Sequence, residues 1–262
     1  MLTLTQGFLR FKPTLPGAMP IRFAQHARFL VVAKYHTVEC FSSENDIRKF
    51  IVENTEVVQG NHLTPEIKMR LFTPKCRFWR ARPELWPFSD PYWAIYWPGG
   101  QALTRFLFDN PGTSRGKKVL DLGSGCGASA MAASLRGASH VLANDIDPVA
   151  TTAIKMNCEL NNLKPLPVSV ENLIGTKAED WDLILLGDMF YDTELSDGLH
   201  SWLKQCVSTH RTQVLIGDPG RANFENHKIQ KWLRELAHYE LPLCVTEENY
   251  GLTSSKVWEF LP

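Results

Sequence analysis

The chain has 262 residues, enough for one α/β domain with a modest extension. Hydrophobic residues make up 44% of the sequence and charged residues 21%, an ordinary composition for a globular protein. Basic and acidic residues are equal in number, 28 each, so the chain lacks the basic excess expected of a broad nucleic-acid-binding surface.

Residues 1–38 differ in charge from the rest of the chain. They contain five basic residues and no acidic one, whereas the other 23 basic residues face 28 acidic ones. A basic, acid-free start is typical of a mitochondrial transit peptide. Its apolar run Phe29–Ala33 is too short to cross a bilayer. We therefore expect a transit peptide over 1–38 and a matrix location, rather than a disordered leader with accidental charge, and we expect no membrane partner.

The next segment, residues 39–100, is predicted to be an N-terminal extension of helices and aromatic residues. Helical patterns cover Ser43–Asn54 and Pro65–Leu71. The aromatic stretch from Phe78 to Trp97 is interrupted by prolines, so it cannot form one regular element. A helix over Gln101–Phe108 is predicted to open the main domain, residues 101–262.

The main domain alternates predicted strands and helices. Apolar runs predict strands over Lys118–Leu122, His140–Ala143, Pro167–Val170, Trp181–Leu186 and Gln213–Gly217. Helical spacing predicts helices over Ala128–Leu135, Val149–Leu160, Leu195–Val207 and Ile229–Leu236. Two further strands are predicted at the end, Leu241–Glu247 and Thr253–Phe260.

This order predicts an α/β fold with a Rossmann-like, mostly parallel sheet covered by helices on both faces. The last two strands have no helix between them, so they are expected to form an antiparallel hairpin. Seven strands that end in a hairpin are typical of class I methyltransferases. Dinucleotide dehydrogenases end on a sixth parallel strand instead.

The strongest motif follows the first strand of this domain, with the sequence Val119-Leu120-Asp121-Leu122-Gly123-Ser124-Gly125-Cys126-Gly127. Alternate glycines let the backbone approach a ligand closely at the carboxyl ends of the strands. Phosphate sites favour an unopposed helix N-terminus, whereas a carboxylate inside the motif favours a ligand with a positive amino group. S-adenosylmethionine is such a ligand, and it also carries a sulfonium.

Polar residues also follow two later strands. Asp145 ends the second strand about 20 residues after the glycine turn, where an acid accepts hydrogen bonds from ribose hydroxyls. Two residues on, Asp147 is predicted to cap the helix that Pro148 opens. Asn172 follows the third strand, where it could meet an adenine edge or serve as an ordinary loop residue.

The segment Gly187–Tyr191 follows the fourth strand, where the transferred group is expected to lie. Asp188 could orient an amine or cap a helix, and Tyr191 offers a ring face to a cation. We predict Asp188 and Tyr191 as catalytic residues. The predicted cofactor contacts are Trp97, Asp121, Gly123, Ser124, Gly125, Gly127, Asp145, Ile146, Asn172 and Gly187.

With these motifs the chain resembles the seven-strand protein-lysine methyltransferases of the methyltransferase-like group. The segments Ser89–Gly100 and Ile216–Arg221 are similar to those of the mitochondrial members that modify the electron transfer flavoprotein β subunit. The resemblance covers about residues 43–262. It implies S-adenosylmethionine as cofactor and lysines of that subunit as substrate; the residues alone indicate only a methyltransferase, with a protein amine as the favoured acceptor.

Other functions stay open on the same fold. A methyltransferase could act on another protein, such as a ribosomal protein, or on a small molecule. A non-catalytic adaptor is disfavoured by the intact acids, and a NAD enzyme by Asp121 and the closing hairpin. RNA methylation is disfavoured by the acidic charge of residues 39–262. The six cysteines form no CxxC pair, so we expect no metal site.

The leader generates a direct prediction. Fused to a fluorescent reporter, residues 1–40 should direct it into mitochondria and be cleaved after import, because the segment is basic and acid-free. Imaging and the length of the processed reporter measure both. A diffuse cytosolic signal would contradict the transit-peptide interpretation.

Overall fold

The structure, a computed structural model, describes residues 41–79 and 91–262. The predicted transit peptide and part of the aromatic segment, residues 80–90, lie outside the described residues. Within the described part, no helix has the length and apolar character needed to cross a membrane.

A seven-stranded sheet forms the centre of the main domain, and two shorter strands, β1 Glu56–Val58 and β2 Met69–Leu71, precede it in the N-terminal extension. The strands of the sheet are β3 Lys118–Leu122, β4 His140–Asn144, β5 Val168–Ser169, β6 Leu183–Gly187, β7 Gln213–Asp218, β8 Leu233–Glu240 and β9 Ser254–Phe260. Their order is β5-β4-β3-β6-β7-β9-β8; the first five in this order are parallel, and β9 is antiparallel to both of its neighbours. This confirms the predicted fold class and the closing hairpin.

Helices cover both faces of this sheet, as the apolar character of the central strands requires. Side chains along β6 are buried on both sides, so they contribute to two separate cores. The helices are α1 Glu44–Asn54, α2 Pro98–Asp109, α3 Ala128–Leu135, α4 Pro148–Leu160, α5 Thr193–His210, α6 Ala222–Glu225 and α7 Leu243–Glu248. Short 3₁₀ helices lie at Tyr92–Ala94, Pro111–Thr113 and Lys228–Trp232.

Side-chain caps set where α4 and α5 begin. Asp147 accepts a hydrogen bond from the Val149 N–H at 2.8 Å, which confirms the predicted cap of α4. Asp192 caps α5 by accepting from the Leu195 N–H at 3.0 Å. Because α4 starts directly after β4, its cap fixes the loop that carries Asp145.

The N-terminal extension is held against the main domain by a small hairpin. Its strands are β1 Glu56–Val58 and β2 Met69–Leu71. Two asparagines at the end of α4 bond to the outer edge of this segment: Asn157 of α4 accepts from the Arg70 N–H, and Asn161, the C-cap residue of α4, accepts from the Lys68 N–H, both at 2.8 Å. The hairpin therefore lies beside the helix that follows the second strand of the main sheet.

The predicted helix over Pro65–Leu71 is wrong, because its second half forms β2. Ile67, Met69 and Leu71 are buried and alternate with charged residues. That two-residue period is the strand pattern, and it prevails because one face of the hairpin packs on the core.

The predicted helix over Ile229–Leu236 is also wrong, since a 3₁₀ turn ends at Trp232 and β8 follows. The helical spacing is misleading because Leu233 and Leu236 pack into the cores on opposite faces of the sheet. Strand positions three residues apart point to opposite faces, and the β-bulge between Glu235 and Ala237 keeps Leu236 and Ala237 on the same face.

The predicted strand over Leu241–Glu247 is wrong as well, because α7 lies there. Pro242 is the N-cap residue of α7, Leu243 is 73% exposed, and Val245 is buried. Since β7 and β8 already occupy both edges of β9, the connecting segment cannot form the predicted hairpin with β9.

Candidate active site

The glycine turn between β3 and α3 is held together by two carboxylates. Asp121 accepts from the Ser124 Oγ–H at 2.5 Å and from the Ala130 N–H at 3.0 Å. Asp145, from the end of β4, accepts from the Gly125 N–H at 2.9 Å. The structure therefore brings four predicted cofactor residues, Asp121, Ser124, Gly125 and Asp145, into one group.

The glycines of the turn are needed for its backbone. Gly123, Gly125 and Gly127 all have positive φ, of 65°, 53° and 82°. A Cβ on Gly123 would lie 2.2 Å from the sulfur of Met189, whereas one on Gly125 would meet nothing closer than 3.8 Å. The backbone at Gly125 thus leaves space for a ligand, whereas the space beside Gly123 is filled by Met189.

Burial dominates the electrostatics of both acids. It raises the pKa of Asp121 to about 6, although the hydrogen bonds from Ser124 and Ala130 act in the opposite direction. Burial likewise raises the pKa of Asp145 above its usual range. A positive ligand beside them would favour the ionised forms.

Two more predicted cofactor residues, Ile146 and Asn172, follow the ends of β4 and β5. Ile146 follows Asp145 and is 65% exposed, an apolar side chain available to cover a flat ring. Asn172 is exposed, and its Oδ1 accepts from the Ile174 N–H at 3.1 Å. The Oδ1 atom of Asn172 is therefore engaged within its own loop. The predicted contact of Asn172 with an adenine edge stays a prediction.

Helix α2 approaches the ends of β6 and β7 through glycine backbones. A Cβ on Gly217 would lie 2.0 Å from the Gly99 carbonyl oxygen, and one on Gly187 would lie 2.8 Å from the Gly100 Cα. Gly187 is therefore required for the packing of α2 on the sheet. Its predicted contact with the cofactor is untested by this packing.

Asp188 lies where α2, β6 and β7 meet, and it is only 5% exposed. Its Oδ2 accepts from the Gly100 N–H at 3.0 Å, while its Oδ1 accepts from Arg221 Nε and Nη2 at 2.9 and 2.5 Å. The carboxylate thus caps the first turn of α2 from outside the helix and forms a buried ion pair. Its φ of 57° is unusual for a residue other than glycine.

Two charged residues near Asp188, Arg221 and Asp218, were not predicted as site residues. The Arg221 guanidinium lies 5.3 Å from the centre of the Trp97 ring. Although burial acts in the opposite direction, the charges of Asp188 and Asp218 raise the pKa of Arg221. Asp218, at the end of β7, accepts from the Gly220 and Arg221 N–H groups at 2.8 Å.

One signal in the sequence could have identified this pair. Asp218 ends a parallel strand, as Asp145 does, and Arg221 follows in a tight Pro-Gly turn. Burial and the charge of Asp188 raise the pKa of Asp218. Its Oδ2 is buried without a hydrogen-bond partner in the described part of the chain.

Trp97 and Tyr191 differ in their contacts and in their exposure. Trp97 is the N-cap residue of α2, and its indole N–H donates to the Tyr92 carbonyl at 3.0 Å. Tyr191 is 41% exposed, and no hydrogen bond or ring contact joins it to Asp188 across the described ranges. Trp97 is therefore fixed beside Arg221, whereas the catalytic role of Tyr191 stays a prediction.

These residues fit S-adenosylmethionine better than a dinucleotide. The Ala130 N–H, in the first turn of α3, is already taken by the Asp121 carboxylate. A phosphate placed there would meet a negative charge instead of free N–H groups. A cationic ligand with ribose hydroxyls suits Asp121 and Asp145, and the open backbone at Gly125 allows its close approach.

The sheet order and this turn define a class I methyltransferase. The sequence matches the family described as Lysine methyltransferase over residues 93–235. The electron transfer flavoprotein beta subunit lysine methyltransferase of Danio rerio is 66% identical, over 85% of this chain and 86% of that protein. The Homo sapiens protein of the same name is 58% identical, over 83% of each chain.

The chain therefore belongs to the lysine methyltransferase family, within the group of electron transfer flavoprotein beta subunit lysine methyltransferases. It is a protein-lysine N-methyltransferase whose cofactor is S-adenosylmethionine. Among solved structures, SMU.776 complexed with SAH is similar in fold, with a TM-score of 0.53 at 14% identity. That match covers 80% of this chain and 56% of the other.

The glycine turn and Asp145 generate a prediction on cofactor affinity. Asp145→Ala should weaken S-adenosylmethionine binding about 10- to 100-fold, because it removes a charged acceptor and releases the Gly125 N–H. Gly123→Arg should abolish binding, since its side chain would enter the packed turn. Calorimetry measures both affinities.

Asp147→Ala is the matched control for Asp145→Ala. It removes a helix cap two residues away and should cost about 1 kcal/mol of stability with near-normal cofactor affinity. Equal affinities of the Asp145 and Asp147 variants would refute the assignment of Asp145 to the cofactor.

The buried ion pair generates a second prediction. Asp188→Ala leaves the Arg221 guanidinium buried without its partner and should cost about 3–5 kcal/mol of unfolding free energy. Removing both charges, in Asp188→Ala with Arg221→Met, should restore much of that stability. Chemical denaturation measures the loss and the recovery.

Turnover of the double variant then separates two roles of Asp188. If the carboxylate positions the amine, the stable double variant should lose on the order of 10²-fold in kcat with near-normal cofactor affinity. Near wild-type turnover in that variant would show that Asp188 only caps α2 and pairs with Arg221.

Proposed function

We propose that this protein methylates lysine side chains of the electron transfer flavoprotein β subunit. The observation that carries the proposal is the similarity to relatives of that name, at 58–66% identity over 83–86% of their length. A relative named as a homolog in Caenorhabditis elegans is 38% identical over 97% of its length. The family match over residues 93–235 spans both the cofactor turn and the Asp188–Arg221 pair.

The chemistry requires a neutral amine. A lysine with a pKa near 10.4 is neutral in only about one molecule in 2,500 at pH 7, which corresponds to about 4.6 kcal/mol. An apolar, aromatic site favours the neutral form because it disfavours the ammonium. Trp97 and Tyr191 supply aromatic surface around the end of β6.

The ion pair removes a difficulty for this mechanism. A free carboxylate beside the substrate would raise the pKa of the amine and keep it protonated. Because Arg221 neutralises Asp188, the carboxylate can accept a hydrogen bond from the amine without providing a full counter-charge. The amine lone pair would then be oriented toward the methyl group for in-line displacement.

We also propose that the protein acts in the mitochondrial matrix. The support is the basic, acid-free segment 1–38, which the remaining chain does not resemble in charge. An electron transfer flavoprotein subunit as substrate is consistent with that compartment. The reporter fusion described above tests this part by itself.

Labelled S-adenosylmethionine tests the substrate. The full protein, incubated with purified electron transfer flavoprotein, should label the β subunit, and mass spectrometry should place the methyl groups on lysines. The Gly123→Arg variant is the control that lacks cofactor binding. Label on a different protein of a mitochondrial extract, with none on the β subunit, would contradict the proposal.

A further inference from the structure

A second cleft lies between the N-terminal hairpin and α7, outside the cofactor turn. It has a volume of about 640 Å³ and is lined by both polar and apolar side chains. β1 forms one side, and α7 with Asn249 forms another. None of the predicted site residues lines it.

Three buried polar atoms of lining residues have no hydrogen-bond partner in the described structure: His62 Nε2, Trp79 Nε1 and Asn249 Oδ1. These side chains are 7%, 2% and 4% exposed. Buried polar groups are normally satisfied, so these three atoms would gain hydrogen bonds from a ligand that reaches them through the cleft.

Each of these three atoms can be assigned as a hydrogen-bond donor or acceptor. His62 Nδ1 accepts from the Thr64 N–H at 3.2 Å, and burial lowers the pKa of His62 to about 4, so the neutral ring carries its proton on Nε2. The Trp79 indole is also a donor, and Asn249 Oδ1 is an acceptor. Two donors and one acceptor match the carbonyl and N–H groups of a peptide backbone.

The edge of β1 offers the same kind of groups. The Arg70 N–H points away from β1 to Asn157, so Arg70 and its partner Val57 form a non-hydrogen-bonded pair. The N–H and carbonyl of Val57 therefore point away from β2, toward the open edge. No residue of the described ranges bonds to them, and the Val57 side chain is 47% exposed.

Charge favours a basic occupant. The lining contains two acids, Glu56 and Glu248, and one base, Lys75, while His62 is neutral. Burial, together with the neighbouring Glu247, raises the pKa of Glu248. A cation beside Glu248 would favour its ionised form.

The cleft adjoins the candidate active site at two points. Tyr96 and Gln101 line it and flank the first turn of α2, which Asp188 caps. At the other side, Asn249 precedes Tyr250, whose pKa burial raises although the charge of nearby Arg221 acts in the opposite direction. An extended chain in the cleft could thus continue toward Asp188.

We propose that this cleft binds an extended, basic segment of the protein substrate next to the acceptor lysine, with its backbone paired to the free edge of β1. The inference rests on the proposed protein-lysine methylation and adds the surface that selects the substrate. Backbone pairing gives affinity, and the polar atoms of the cleft fix the register.

Two variants test the cleft with purified electron transfer flavoprotein as substrate. Val57→Pro removes the outward N–H, which has no internal partner, and proline is tolerated on edge strands. Trp79→Phe removes only the indole N–H and keeps an aromatic ring. Each should raise KM for the protein substrate about three- to tenfold, with kcat within about twofold and unchanged S-adenosylmethionine affinity.

Val57→Thr is the matched control, because it keeps the backbone donor and a β-branched side chain, and it should behave as wild type. Melting temperatures identify a variant that fails to fold, in which case the other carries the test. Unchanged KM in a folded Val57→Pro or Trp79→Phe protein overturns the cleft but leaves the proposed function intact. A weakened cofactor affinity in both would also overturn it. A wild-type protein that does not methylate the β subunit overturns both proposals.

Discussion

The close approach of α2 to the carboxyl ends of β6 and β7 is the constraint on which the site depends. Gly99 and Gly217 meet backbone to backbone, at a distance that leaves no room for a side chain. The approach brings the Gly100 N–H within 3.0 Å of Asp188 and places Trp97 over Arg221. One packing contact therefore fixes the carboxylate, its counter-charge and the aromatic wall. A buried carboxylate at this position would be costly without both partners.

The elements that sequence reasoning located correctly are those whose signals are local. β3 and α3 have the predicted bounds because an apolar run, a glycine turn and a run of small residues follow one another along the chain. The cap at Asp147 is local in the same sense. The helical spacing of Leu233 and Leu236 misled, because residues three apart in β8 lie on opposite faces of the sheet and an apolar core covers each face. Whether this segment forms a strand depends on its pairing with β9, which the local sequence does not contain.

The Asp188–Arg221 pair could not be predicted from spacing, since its members are 33 positions apart and meet only through the sheet order. Asp188 was correctly identified as a residue at a strand end, but its partner depends on β7 lying beside β6. The rule that identified Asp145 also applies to Asp218, which was missed. Positive φ at Asp188 is likewise a property of the tertiary contact rather than of the residue type.

The charges at the carboxyl edge form two groups that match the proposed reaction. Asp121 and Asp145 lie at β3 and β4, beside the glycine turn, and Asp188 and Asp218 lie at β6 and β7. Methyl transfer to a neutral amine moves one positive charge from the donor to the acceptor nitrogen. In the proposed mechanism, acids at both positions would stabilise the charge before and after the transfer.

Arg221 pairs with Asp188 in the second group, where it would limit the negative field that the incoming amine meets. A stronger field there would favour the protonated, unreactive lysine, whereas a weaker one would disfavour the methylammonium product. Under the proposed function, the ion pair would therefore set a compromise between activating the substrate and stabilising the product.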